Sequence, residues 1–231
     1  MTVPASRAFP REGIAFLADL ARNNRRDWFL AHKADFERHA KAPMLALLAE
    51  LNEVLRAHSP ACVTEPGKAL MRMNRDVRFS KDKSPYRTSL GARLGGGGGK
   101  AAEAGGYYVG ISPKGVEIAG GAHALEPAQL AALRAQLAKD ARPLRALVEQ
   151  KALVKAMGPL QGERLVRVPK GYAPDHPAGD LLRLKQAYFL TTLPPELTTT
   201  PRLLPELVVR IRLLAPFVNY LAGVVGEAGT D

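Results

Sequence analysis

Apolar residues three and four apart fall on one side of a helix, whereas alternate residues of a strand fall on one side of a sheet. The cleanest helical stripe in the chain is Met44, Leu47, Leu48, Leu51, Val54 and Leu55. It predicts an amphipathic helix opening at Pro43, a residue suited to a first turn, and ended by Ser59-Pro60. Ahead of it, Ile14, Leu17, Leu20 and Ala21 repeat at the same spacing. Asn23-Asn24 interrupts, and Asp27 is placed to cap a second helix with Trp28, Phe29, His32 and Phe36 on one side.

The period changes at Leu70. From there to Phe79 the alternation predicts a strand, with Arg72, Asn74, Asp76 and Arg78 on one face and Met71, Met73, Arg75, Val77 and Phe79 on the other. The second face is apolar except for Arg75. A guanidinium among hydrophobes needs a partner, so Arg75 is expected to be largely buried against a carboxylate or carbonyls, or to open into a pocket. After Phe79 the sequence SKDKSPYR breaks into turn formers, with Ser84 biased away from helix by Pro85. Lys81, Lys83 and Arg87 are therefore expected to project from a loop at a strand end.

The second half of the chain alternates between the two periods. Tyr107, Val109 and Ile111, then Val116 and Ile118, flank Ser112-Pro113-Lys114-Gly115 and predict a hairpin. The pattern suits a two-residue turn, whereas Gly115 suits a bulge. Helices are predicted from Pro127, with Leu130, Leu133, Arg134 and Leu137 on one stripe, and from about Pro143 to Gly158. Short strands follow at Leu165–Val168 and Tyr188–Thr192, with a polar loop over Lys170–His176 and a short helix from Pro177. A last helix, capped by Thr200, is expected over Pro201–Val225, kinked near Pro216. Helices at both ends around short, mainly antiparallel strands argue one compact α+β domain over residues 1–231. The glycine-rich stretch at about 91–106 is expected to be a flexible insertion.

Composition narrows the classes. The 231 residues fit one domain and bury a sizeable core. With 33 cations against 22 acids, the formal charge of +11 favours anionic partners, although a basic composition alone gives the same value. One cysteine, Cys62, allows no internal disulfide and no thiol-based metal cluster. Residues 1–9 lack the apolar core of a secretory signal, and no run of about 18 apolar residues is expected to span a bilayer. A cytoplasmic protein without membrane insertion is expected. The glycines ahead of Lys100 do not make a phosphate loop, because Leu94 stands where the first glycine belongs and Ala101 where a magnesium-holding hydroxyl belongs.

Several stretches together resemble a known family, one described as a domain of unknown function. They are NNRRDWF at Asn23–Phe29, RDVRFSKDKSPYR at Arg75–Arg87, GGYY at Gly105–Tyr108, Gly120-Gly121, PKGYAPDHP at Pro169–Pro177, and LLRLK at Leu181–Lys185. The resemblance runs from about Phe9 to Leu221. It implies a single α+β domain and supplies no activity, substrate or catalytic residue.

The residues leave three functions open. Arg72–Arg87 holds six cations against Asp76 and Asp82, a net charge of +4. Arginine forks and lysine points suit phosphate, so Arg75, Arg78, Lys81, Lys83, Tyr86 and Arg87, with Lys170 and Lys185, are candidates for binding a phosphate-bearing small molecule or nucleic acid. A solvated loop tied by Asp76 and Asp82 is the alternative. An enzyme on an anionic metabolite would use Tyr86 or His176 as proton carrier, although Asp175-His176-Pro177 equally marks a helix entrance. The third function is a protein-interaction domain without a small ligand. Trp28 and Phe29 read as core or as a base-stacking platform. No nucleophile elbow, dinucleotide fingerprint, cofactor motif or metal-ligand spacing is present; His32 and His39, seven residues apart, have no companion ligands. Oligomeric state leaves no mark.

Overall fold

The computed structural model of the protein describes residues 8–95 and 105–226. Its sheet has four strands, β1 (Leu90–Leu94), β2 (Gly106–Ser112), β3 (Gly115–Ala122) and β4 (Ala187–Leu193), in the order β1-β2-β3-β4 with every neighbour antiparallel. The alternation expected for the hairpin holds: Tyr107, Val109, Ile111, Val116 and Ile118 are buried on the inner face. Ser112 opposes Gly115, so the turn is the two-residue one. Gly115 is required by close approach, since a side chain there would lie 2.2 Å from the Leu193 carbonyl oxygen, at a φ of +134°.

The C-terminal helix lies against that inner face. In chain order the helices are α1 (Arg11–Arg22), α2 (Arg26–Ala31), α3 (Lys33–Asp35), α4 (Ala42–His58), α5 (Pro66–Ala69), α6 (Pro127–Lys139), α7 (Arg142–Val148), α8 (Lys151–Met157), α9 (Gly179–Leu182), α10 (Pro195–Thr198) and α11 (Leu203–Gly226). Leu207, Ile211, Leu214, Phe217, Val218 and Leu221 of α11 are fully buried, and Phe217 meets Phe189 edge to face at 5.1 Å. Each such side chain stabilises by about 1.5–3 kcal/mol. Gly120 lets the helix come close, because an added Cβ would sit 3.0 Å from Leu214. By length and mean hydropathy, 1.5 over Leu203–Val225, α11 is apolar enough to cross a membrane. This corrects the expectation that no such run exists, although Glu206, Arg210 and Arg212 punctuate it. Here it is the helix around which the core is built.

The stripe predicted on α4 is the buried one, with Met44, Leu47, Leu48, Leu51 and Leu55 inside. Between α3 and α4 the chain widens into a π-helical segment, Phe36–Lys41, where α1 packs close. A Cβ on Gly13 would come within 2.2 Å of the His39 carbonyl oxygen. Asn219 donates to the His58 carbonyl at 2.8 Å, joining α11 to the end of α4. The whole forms an α+β architecture of N-terminal helices, antiparallel sheet and C-terminal helices, and the described residues share one contiguous hydrophobic cluster.

Several expectations are corrected. Leu70–Phe79 is not a strand: Leu70 and Asn74 make isolated bridges to Ala92 and Tyr86, and the rest of the run has no partner strand. Leu165–Val168 is not a strand either; the pairing lies just ahead, at Gln161 with Tyr188 and Arg164 with Leu184. The single helix expected from Pro143 is two, α7 and α8, divided at Glu149-Gln150. Asp27 sits inside the first turn of α2, and the Thr200 hydroxyl donates back to the Leu197 carbonyl instead of capping α11. Of the glycine-rich stretch, residues 91–94 belong to β1 and Gly106 opens β2; residues 96–104 lie outside the described residues.

Candidate functional site

The basic box begins at a neck. Asn24, just past α1, holds Tyr86 as a neighbouring strand would: its amide donates to the Tyr86 carbonyl at 2.9 Å and its carbonyl accepts the Tyr86 N–H at 3.0 Å. The Tyr86 ring is buried and stacks on Phe29 of α2 at 4.2 Å. Arg87 N–H bonds the Met73 carbonyl and Arg75 N–H the Pro85 carbonyl. Thus Trp28 and Phe29 are core side chains, with Trp28 stacked on His32 at 4.1 Å.

Beyond the neck, residues 76–84 form a braced tip. Arg75 reaches Asp82, the Ser84 carbonyl at 3.1 Å and the Ser80 hydroxyl. The expected partners are present, but the expected burial is not: the side chain is 26% exposed and that of Asp82 is 61% exposed. Hydrogen bonds from Ser84, then from Arg75, hold the Asp82 carboxyl down to about 2. Arg78 grips Asp76 through two nitrogens, at 3.0 and 2.7 Å, and holds that carboxyl below its ordinary value. Lys83 donates to the Val77 carbonyl at 3.0 Å. Arg72, Lys81 and Arg87 are exposed and form no ion pair among the described residues. Phe79, expected on an apolar face, is 96% exposed at the tip. A cavity of about 620 Å³ beside Tyr86 is lined by Arg26, Lys33, Phe29, Asn74 and Pro85, so its cations come from α2 and α3, and the box cations do not converge on it.

The remaining candidates stand apart. Lys185 pairs with Glu163 at 2.6 Å, and Lys170 is exposed in the segment before α9. The His176 ring Nδ1 accepts the Ala178 N–H at 3.0 Å, which makes it a helix-entrance residue. Burial pushes the Cys62 thiol up to about 11, which removes it as a nucleophile.

A second concavity, not among the sites expected from the sequence, lies on the outer face of the sheet. Across the four strands Arg93, Tyr108, Ala119 and Leu190 oppose one another, flanked by the rows Gly106, Gly121, Tyr188 and Gly91, Gly110, Glu117, Thr192. The Tyr108 ring lies down over Gly91 and Gly110; a Cβ on Gly110 would come within 2.7 Å of its hydroxyl oxygen. That leaves a hollow of about 330 Å³ over Gly106, Ala119 and Gly121, walled by Arg93, Tyr108, Glu117, His123, Tyr188 and Leu190. The His123 and Tyr188 rings meet at 5.3 Å. Burial, and then the charge of Glu117, push the Tyr108 hydroxyl up, against the pull of Arg87 and Arg93. Glu117 also accepts the hydrogen bond of that hydroxyl, so the proton stays on Tyr108 and is directed at Glu117.

A family model for a conserved hypothetical protein, DUF2461, matches residues 12–220. The chain belongs to that family. Searches among curated proteins and among solved structures found no match. Within this DUF2461 chain, four of the motifs that carry the resemblance divide between the two regions, and the PKGYAPDHP and LLRLK stretches lie outside both. Asn24 and Phe29 of NNRRDWF clamp Tyr86 of the box, whereas GGYY and Gly120-Gly121 line the hollow and Lys185 reaches Glu163. The one signal for the hollow in the sequence was small residues alternating with tyrosines on predicted strands.

Proposed function

We propose that this DUF2461 protein binds a small polar metabolite in the hollow on the outer sheet face. The supporting observation is the convergence of Arg93, Tyr108, Glu117, His123 and Tyr188 on one cavity of about 330 Å³ with an apolar floor. Ligand sites combine a mostly apolar concavity of this order with a few placed polar groups. Arg93 and His123 suit an acidic group, and Glu117, oriented by the hydrogen bond it accepts from Tyr108, accepts another from a hydroxyl or amine. The ligand class is thus a compact molecule bearing an acidic group together with a hydroxyl or amino group. Of the anionic ligands expected from the sequence, this reading assigns the small molecule to the sheet. The lone cysteine supports a cytoplasmic setting, where thiols stay reduced.

The test is thermal stabilisation and NMR titration with a panel of hydroxy acids, amino acids and sugar phosphates, on wild type and on Ala119→Phe, which fills the floor. At least one compound is expected to stabilise wild type, and Ala119→Phe to bind it at least about tenfold more weakly, a loss of about 1.4 kcal/mol. Equal binding by the filled variant would remove the hollow as the site.

A further inference from the structure

We propose that the tip of the basic box is a contact surface for single-stranded nucleic acid, with Phe79 as the platform on which a base stacks. This surface is separate from the hollow on the sheet and does not rest on it.

The first observation is Phe79 itself. Nearly all of its ring faces solvent, while the other phenylalanines of the described residues are buried. The Arg78 guanidinium stands 5.8 Å from the ring centre, so the ring is presented beside a cation. The second observation is the charge around it. Lys81 is exposed and forms no ion pair among the described residues, and Lys83 spends its hydrogen bonds on carbonyls while keeping its charge; Arg72 and Arg87 stand back at the neck. Both acids of the box are consumed internally, Asp76 by Arg78 and Asp82 by Arg75 and Ser84. The third observation is the bracing. These internal bonds hold the tip in shape before any partner arrives, which lowers the ordering cost of binding.

An exposed aromatic ring among cations is the arrangement by which proteins hold single strands without reading sequence. A duplex offers no unpaired base to the ring, and reading its groove takes a helix or a two-stranded ribbon, neither of which the tip forms. An anionic membrane would attract the same cations. However, interfacial anchoring scales with buried apolar area, and Phe79 is the single strongly exposed hydrophobe here, Val77 being half-buried.

The experiment is fluorescence anisotropy of a labelled oligouridine of about ten nucleotides, roughly one site size for such a surface. It is run against wild type, Phe79→Ala, Phe79→Trp and the double variant Lys81→Ala, Lys83→Ala, at low and moderate salt. Wild type is expected to bind, more weakly as salt rises. Phe79→Ala should bind about tenfold more weakly at an unchanged salt slope, and Phe79→Trp should restore binding. The double variant should flatten the slope by about 1.4, the value for two phosphate contacts on a single strand. All the altered side chains are exposed, and melting curves verify folding. The proposal is overturned by no binding, by Phe79→Ala binding like wild type, by equal affinity for the matching duplex, or by Phe79-dependent binding to phosphatidylcholine–phosphatidylserine vesicles without binding to the oligonucleotide.

Discussion

The outer sheet face and the basic box are held in opposite ways. On the sheet, every residue around the hollow sits on a strand or just past one, and backbone ladders on both sides fix its position. The box has almost no ladder. It is anchored at one neck by the Asn24 amide and the Tyr86–Phe29 stack, and beyond that neck its own side chains brace it. A ladder distributes its support over many bonds, so deleting one side chain on the sheet changes a wall without moving the floor. A neck concentrates support, so deleting one side chain there releases everything beyond it.

Tyr86→Ala tests this most severely. It removes a buried ring and should cost about 3 kcal/mol, lowering Tm by about 6–12 °C and speeding amide exchange throughout residues 74–87. A loss of Tm below about 2 °C would mean that the box is held elsewhere. Asn24→Ala strips partners from two partly buried backbone groups and should cost about 2 kcal/mol, with Asn24→Asp, which keeps the acceptor and loses the donor, falling between. Arg75→Met should cost only about 1 kcal/mol or less, because its partner Asp82 is mostly in water; exchange at Ser80 and Ser84 should rise while Tm hardly moves. A drop as large as that of Tyr86→Ala would make the tip, not the neck, the support.

The smallest effect is in pH. The Asp82 carboxyl is depressed from 3.8 to about 2 in the folded protein. Its contribution is therefore fully present above the ordinary carboxylate value and lost as pH falls through about 2. An NMR titration of the Ser84 amide should show no transition near pH 4, and one near 2. A midpoint at the ordinary value would show that the Arg75–Ser84 brace does not form in solution.

The elements that sequence reading recovered are those where period and burial agree. The α4 stripe and the β2–β3 hairpin each bury the face their spacing marks. The Leu70–Phe79 alternation has the same look but only Met73 is buried in it, because its pairing stops at the isolated bridge between Asn74 and Tyr86 and the chain beyond runs out into the tip. Arg75 was rightly expected to find a carboxylate, yet in a loop, since Asp82 follows it around a turn. The hollow was not legible. Its walls come from strands up to a hundred residues apart, their meeting depends on register, and its floor is glycine and alanine, which in a sequence look like slack.

The two misread segments have a further effect at the margins of the sheet. Met71 N–H bonds the Gly91 carbonyl on the far side of β1. On the far side of β4, Gln161 bonds Tyr188 through its backbone in both directions and the Leu190 carbonyl through its side chain at 2.8 Å. Open strand edges are templates for pairing with another chain. Both outer strands here are occupied by short irregular pieces that bond the edge for a residue or two and then turn away. They pair too briefly to continue the sheet, and by ending it they guard this protein against edge-to-edge aggregation.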